Sequence, residues 1–127
     1  MIGLTLEQIL QLHALVLVKD GGADGVRDVG RLEAAVSTQH QVVFGEELYA
    51  TVFAKAAALM RGIIGDHPFV DGNKRTAMLA GLTLLEVNGY NFTAQRGELE
   101  DFAVRVATDQ LDIDAIADWL KRHSRVC

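Results

Sequence analysis

The stretch Gly72-Asn73-Lys74-Arg75-Thr76-Ala77-Met78-Leu79-Ala80-Gly81-Leu82-Thr83-Leu84-Leu85-Glu86-Val87-Asn88, closed by Gly89, decides the fold. Its length and composition predict a helix. Ala77, Met78, Leu79, Ala80, Leu82, Leu84, Leu85 and Val87 occupy most faces of that helix. A surface helix would show a single apolar stripe, so this one is expected at the centre with other helices around it. Asn88-Gly89 is a good stop signal, because glycine accepts the left-handed conformation that ends many helices.

On the N-terminal side, Leu48, Val52, Ala56, Leu59 and Ile63 recur at three- and four-residue spacing and predict a helix over 46–64. Residues 65–71 separate it from the central helix. Residues 39–45, with Val42, Val43 and Phe44 together, are less helical and read as an extended flap or a loop. Thr5-Leu6-Glu7-Gln8 has the spacing of a capping box. It opens a helix to about Lys19, with Ile9, Leu12, Leu15 and Val16 on the buried stripe, and Asp20-Gly21-Gly22 ends it. A loop over 25–30 carries Arg27 and Asp28. The short helix after it, over 31–38, turns Leu32, Ala35 and Val36 inward. Two amphipathic helices fit 98–109 and 113–123; in the second, Ile113, Ile116, Ala117 and Leu120 share a face. The expectation is an all-α protein, a single compact domain over 1–127. It would have about six helices around the central apolar one, with room for a short flap.

Composition narrows the functional classes. The 127 residues carry 12 Lys and Arg against 17 Asp and Glu, a net charge of −5 that argues against binding nucleic acid through the overall field. A single cysteine, Cys127, leaves no intrachain disulfide and no cysteine metal cluster. The longest apolar runs fall short of a membrane span. Met1 to Gly3 carries no Lys or Arg, and Glu7, Gln8 and His13 interrupt the apolar residues after it, so no secretory leader is read. A cytoplasmic location is expected.

The chemistry concentrates in His67-Pro68-Phe69-Val70-Asp71-Gly72-Asn73-Lys74-Arg75. It lies just before the central helix, whose first backbone N–H groups lack internal partners and face outward at the positive end. Gly72 would let a ligand approach the backbone closely. Asn73, Lys74 and Arg75 add donors and charge, which makes the segment a ready phosphate site. Asp71 stands at its lip. One carboxylate beside phosphates is a common way to hold Mg²⁺. Histidine ordinarily titrates near about 6.5, which suits His67 as a base. Phe69 would anchor the loop in the core. His67 and the amino end of the helix are expected to face one ATP-sized hollow. A base, a metal carboxylate and an anion cradle within one segment suit phosphoryl or nucleotidyl transfer to a hydroxyl.

Plainer readings stand beside these. Asp71 reads equally as an N-cap, or as the partner of Arg75 in a surface pair of little worth. Basic residues in the first turn oppose the helix dipole, which weakens the plain reading of Lys74 and Arg75. His13 and His123 read as surface or interhelix residues, and His40 lies in the flap region. Trp119 reads as core, Lys55 and Arg61 as a solvated face, and Arg27 and Asp28 as the cap and brace of the short helix.

The nine residues from His67 to Arg75 resemble the signature H-x-F-x-(D/E/N)-(G/A)-N-(G/K)-R of the Fic/Doc superfamily, and Lys74 before Arg75 resembles its death-on-curing (Doc) toxin branch. Residues 25–33 are similar to the family's upstream G-x-R-D-x-G-x-L-E segment. The resemblance implies the Fic fold, with His67 as the base, Phe69 as the loop anchor and Asp71 as the Mg²⁺ ligand. It also implies Gly72, Asn73 and Lys74 as the anion nest and Arg75 as a phosphate ligand. Relatives that transfer AMP continue G-N-G-R-x-x-R. Here Lys74 replaces the second glycine and Met78 the final arginine, which disfavours AMP transfer and leaves it as the alternative. The Doc branch implies ATP as co-substrate and transfer of its γ-phosphate to a threonine of elongation factor Tu, which halts translation. It further implies restraint by a Phd-type antitoxin. The inhibitory pattern S/T-x-x-x-E-(G/N) is absent from the sequence, so inhibition in cis is not expected. A non-catalytic helical binding module remains the reading from another class.

Overall fold

A computed structural model describes residues 1–127. Six helices form the molecule: α1 (Leu6–Asp20), α2 (Val29–Ser37), α3 (Val52–Asp66), α4 (Asn73–Val87), α5 (Arg96–Thr108) and α6 (Ile113–Arg122). A 3₁₀ turn over Thr38–His40 extends α2. Two small antiparallel pairs complete it, β1 (Val42–Val43) with β2 (Glu46–Glu47), and β3 (Tyr90–Phe92) with β4 (Ser124–Val126). The all-α expectation holds.

The helices begin where side chains satisfy orphan amides. Thr5 accepts from the Gln8 N–H at 3.1 Å while the Gln8 side chain accepts from the Thr5 N–H at 2.8 Å, the capping box read from sequence. Asp28 caps α2 by accepting from the Arg31 N–H at 3.0 Å. Thr51 caps α3 through the Ala54 N–H at 3.1 Å. That last cap corrects the helix expected from residue 46. Glu46 and Glu47 instead pair with Val43 and Val42 across a turn in which Phe44 and Gly45 both have positive φ, 51° and 81°. This is the requirement of a tight type I′ hairpin. Leu48, expected on a buried stripe, is exposed, and so is Leu15 of α1. Of residues 39–45, read as an extended flap or a loop, 39–40 complete the 3₁₀ turn and 42–45 form the first strand and turn of the hairpin. The β3–β4 pair is an addition that the sequence pattern does not announce.

One cluster of 23 buried residues takes members from every helix, so all six close on a single core. Helices α3 and α4 lie at its centre, packed against each other; α1 and α5 lean on α4, and α2 and α6 on α3. Their close approach needs small residues. Ala56, Ala57 and Ala58 are buried on α3, and a Cβ added to Gly81 of α4 would collide with the Met60 thioether. Trp119 is buried and stacks on Phe102 at 3.9 Å, a core residue as read. Lys55 is no part of a solvated face: it is 2% exposed. No helix is long and apolar enough to cross a membrane. This packing sets the α3–α4 connection, residues 67–72, against the loop between α1 and α2.

Candidate active site

The α3–α4 connection is short and held from several directions. His67 ends α3 in the left-handed region, φ 46° and ψ 58°, with its N–H bonded back to the Ile63 carbonyl. A helix usually closes this way with glycine, since a Cβ there costs on the order of 1 kcal/mol. The backbone is pinned from outside. Arg27 Nε donates to the His67 carbonyl at 2.8 Å and its terminal nitrogen to the Asp66 carbonyl at 2.9 Å; Arg31 reaches the same Asp66 oxygen at 3.3 Å. Two guanidinium groups thus neutralise the negative end of α3. The sequence reading makes Arg27 a brace of the short helix; its side chain instead braces the end of α3.

The next residues add to the α1–α2 loop almost like a strand. Val26 and Phe69 form an antiparallel bridge, the N–H groups of Arg27 and Asp28 donate to the Pro68 carbonyl, and Val70 N–H donates to the Gly25 carbonyl at 3.0 Å. The Phe69 ring is buried at 1% exposure, in the core as read. It lies flat against His13, with ring centroids 3.8 Å apart and planes 8° apart. The Asn73 side chain brackets the Phe69 backbone, accepting from its N–H and donating to its carbonyl, both at 3.0 Å.

Asp71 is not the cap of α4; that position belongs to Gly72, at φ 78°. Nor does Asp71 pair with Arg75. Its Oδ2 accepts from the Ala23 N–H at 3.1 Å, so the carboxylate is oriented by the α1–α2 loop yet stays exposed. Arg75 pairs instead with Asp20 at 2.6 Å. That hydrogen bond and its charge raise the Arg75 pKa above its ordinary value. Lys74 is exposed. A left-handed Gly72 followed by helical Asn73 aligns successive N–H groups in the manner of an anion nest.

A groove of about 800 Å³ lies between α1, α4 and α5. Lys74 and Arg75 sit on its wall with Asp20 and Lys19, and Leu15, Val18, Leu79, Leu82 and Val104 make it largely apolar. His67 and Asp71 do not line it, so this groove is not the single hollow, expected from sequence, that would hold His67 together with the head of α4. The reason is geometric. Successive helix residues turn by about 100°, so the first turn of α4 carries Lys74 and Arg75 round toward α1, where Asp20 draws the guanidinium.

No three His, Cys, Asp or Glu side chains converge anywhere in the chain. A Mg²⁺ ion arriving with nucleotide phosphates keeps several waters and needs only one or two carboxylates. Asp71, exposed and with one oxygen left unbonded, fits that demand, whereas a metal held by protein ligands alone does not fit.

Comparison with known proteins agrees with the motif. The Fic/DOC family model matches residues 3–85. This chain belongs to the Fic/DOC family. It is similar to a protein named Toxin Doc from Mycolicibacterium smegmatis, 42% identical over 99 residues that make up 76% of each chain. It is also similar to a protein named Protein kinase doc from Escherichia phage P1, 33% identical over 116 residues, 91% of this chain and 90% of the other. Within this family member, two residues of the site have a part that the sequence reading does not give them. One is the Asn73 side chain, which serves as a brace of the loop. The other is His13, whose spacing from Ile9 and Val16, four and three residues, already places it on the buried face of α1.

Proposed function

We propose that this chain is the toxin of a type II toxin-antitoxin pair. In this reading it is a protein kinase of the Fic/Doc type that moves the γ-phosphate of ATP to a threonine hydroxyl of elongation factor Tu, arresting protein synthesis in the cytoplasm. The observation that carries the reading is the placement of His67. A histidine occupies a left-handed position where glycine would be the unstrained choice. Its backbone is fixed by Arg27, and the residue is exposed in the connection that leads into α4. Strain retained at a helix end is accounted for by what the side chain does. Membership in the family, and relatives named as a toxin and as a protein kinase, support the same reading.

The chain's own groups divide the work. The N–H groups of Gly72, Asn73 and Lys74 hold the phosphates, and the Lys74 and Arg75 side chains swing to them from the groove wall, Arg75 by exchanging Asp20 for a phosphate. His67 takes the proton of the threonine hydroxyl as its oxygen forms the bond to the γ-phosphorus. The bond from that phosphorus to the bridging oxygen breaks, and ADP leaves with the electron pair. A Mg²⁺ ion bound with the nucleotide would have Asp71 as its protein ligand and would offset charge on the phosphate oxygens. Phe69, buried against His13, keeps the loop from sliding. AMP transfer is the less favoured chemistry because Met78, where AMP-transferring relatives carry arginine, is 4% exposed and apolar. For the antitoxin, of the Phd type, the groove between α1, α4 and α5 is the fitting berth, being largely apolar with charged residues of both signs among its lining.

The test is isotopic. Purified chain, elongation factor Tu and Mg·ATP should transfer label from the γ position, and none from the α position, to a threonine. His67→Ala should transfer none. Label arriving from the α position, or transfer surviving in His67→Ala, overturns the assignment.

A further inference from the structure

His13 is 4% exposed and remote in sequence from the loop it touches. Its Nε2 lies 2.8 Å from the Asp71 carbonyl oxygen. A carbonyl oxygen only accepts, so Nε2 carries the proton and donates. The ring stacks on Phe69. Its edge also faces Gly72, where an added Cβ would lie 3.7 Å from Cδ2 and Nε2. One imidazole therefore contacts Phe69 and Asp71 and closes the space beside Gly72.

The orientation of the next peptide is a matter of geometry. The Asp71–Gly72 peptide is planar and trans, as no cis bond occurs in the chain, so its C=O and N–H point in opposite directions. With the Asp71 oxygen drawn inward to His13, the Gly72 N–H is turned away from α1, outward at the head of α4. That N–H is the first donor of the proposed phosphate nest. Asp71's carboxylate hangs from the same residue and is steadied separately by Ala23. The other braces, Asn73, Arg27 and Gly25, act on Phe69, His67 and Val70, and none of them sets this peptide plane.

We infer that His13 is a positioning residue for nucleotide binding: its Nε2–H holds the Asp71 carbonyl inward and thereby aims the Gly72 N–H at the phosphates. The inference rests on the kinase reading for the identity of the ligand, but its test reads binding and not turnover. His13→Phe keeps an aromatic ring on Phe69 and removes the donor. His13→Gln restores a donor without the stack. Affinity for a non-hydrolysable ATP analogue with Mg²⁺ is measured by calorimetry, and exchange of the amides from Val70 to Asn73 by mass spectrometry. His13→Phe should bind the analogue about five- to tenfold more weakly, the worth of one well-placed hydrogen bond, and exchange those amides faster. In turnover, KM for ATP should rise while KM for the protein substrate stays unchanged. His13→Gln should recover most of the affinity.

Folding of each variant is checked by its unfolding midpoint. Analogue affinity and loop exchange within twofold of the unmutated protein in a folded His13→Phe overturn the inference. Should that variant fail to fold, the unmutated protein decides: in ¹⁵N spectra the Gly72 amide should move on addition of the analogue, and an unmoved resonance overturns the inference. Active His67→Ala alongside weakened His13→Phe binding would sink the kinase reading and leave His13 in its place.

Discussion

The flap offers a test in which the exposed member of an ion pair matters more than the buried one. Lys55 Nζ, on a side chain 3% exposed, donates to Glu47 Oε1 at 3.0 Å and to the Gln39 carbonyl at 2.7 Å. The Glu47 side chain is 57% exposed. In Lys55→Met the carboxylate returns to water at little expense. The Gln39 carbonyl loses a partner, worth about 1–2 kcal/mol, and burying a thioether in place of an ammonium offsets part of that. A net loss of about 1 kcal/mol is expected. In Glu47→Ala the ammonium stays buried with one neutral acceptor. Removing a partner from a fully buried pair costs about 3–5 kcal/mol; the remaining Gln39 bond reduces this to about 2–3. With Lys55 gone, Glu47→Ala has nothing left to strand, so the double variant should match Lys55→Met, a coupling of about 2–3 kcal/mol, equal to the Glu47→Ala loss. Urea unfolding of the four proteins measures the cycle, and amide exchange over residues 42–47 should quicken in every variant. A larger loss in Lys55→Met than in Glu47→Ala, or a coupling below about 0.5 kcal/mol, would refute the reasoning.

Two further outcomes bear on the site. Asn73→Ala removes both bonds to the Phe69 backbone and leaves a part-buried N–H unpaired, so thermal unfolding should show a loss of about 2 kcal/mol. Arg75→Gln breaks only an exposed pair with Asp20; the unfolding midpoint should hold, while calorimetry shows nucleotide affinity lower by about tenfold.

What the sequence makes legible is local. The caps at Thr5 and Asp28, the apolar period of α4 and the burial of Phe69 depend on residues within a turn or two of one another, and each lies where its pattern places it; the partners of Asp71 and Arg75, Ala23 and Asp20, come from elsewhere in the chain and are not legible in the run itself. The start of α3 misleads because Leu48 continues the helical period by accident. Thr51, a good cap, and the positive-φ pair Phe44-Gly45 carry the stronger signal. Lys55 misleads because a charge is read as solvated, although it stands three residues from Val52 and four from Leu59 on a buried face. Its partners, Gln39 and Glu47, come from a turn and a strand that no period announces. β3 and β4 have three residues each and pair across 34 positions of chain, too short and too distant to register as strands.

The same contrast explains why the family resemblance has two separate pieces. Residues 25–33 and residues 67–75 look like independent stretches in the sequence, yet in the fold they form one device. Gly25 accepts from Val70, the Arg27 and Asp28 amides hold Pro68, and the Arg27 side chain holds the end of α3. Ala23, just before the first stretch, steadies Asp71. A six-residue connection carrying a strained histidine and an exposed carboxylate buries too little apolar surface to fix its own geometry; Phe69 is its one large fully buried side chain. Backbone bonds from a second segment supply the rest. His13 completes the set from the opposite side, so that the loop is clamped between α1 and the α1–α2 connection. Change at Gly25, Arg27 or His13 therefore acts on the geometry of His67 and Asp71 without touching either side chain.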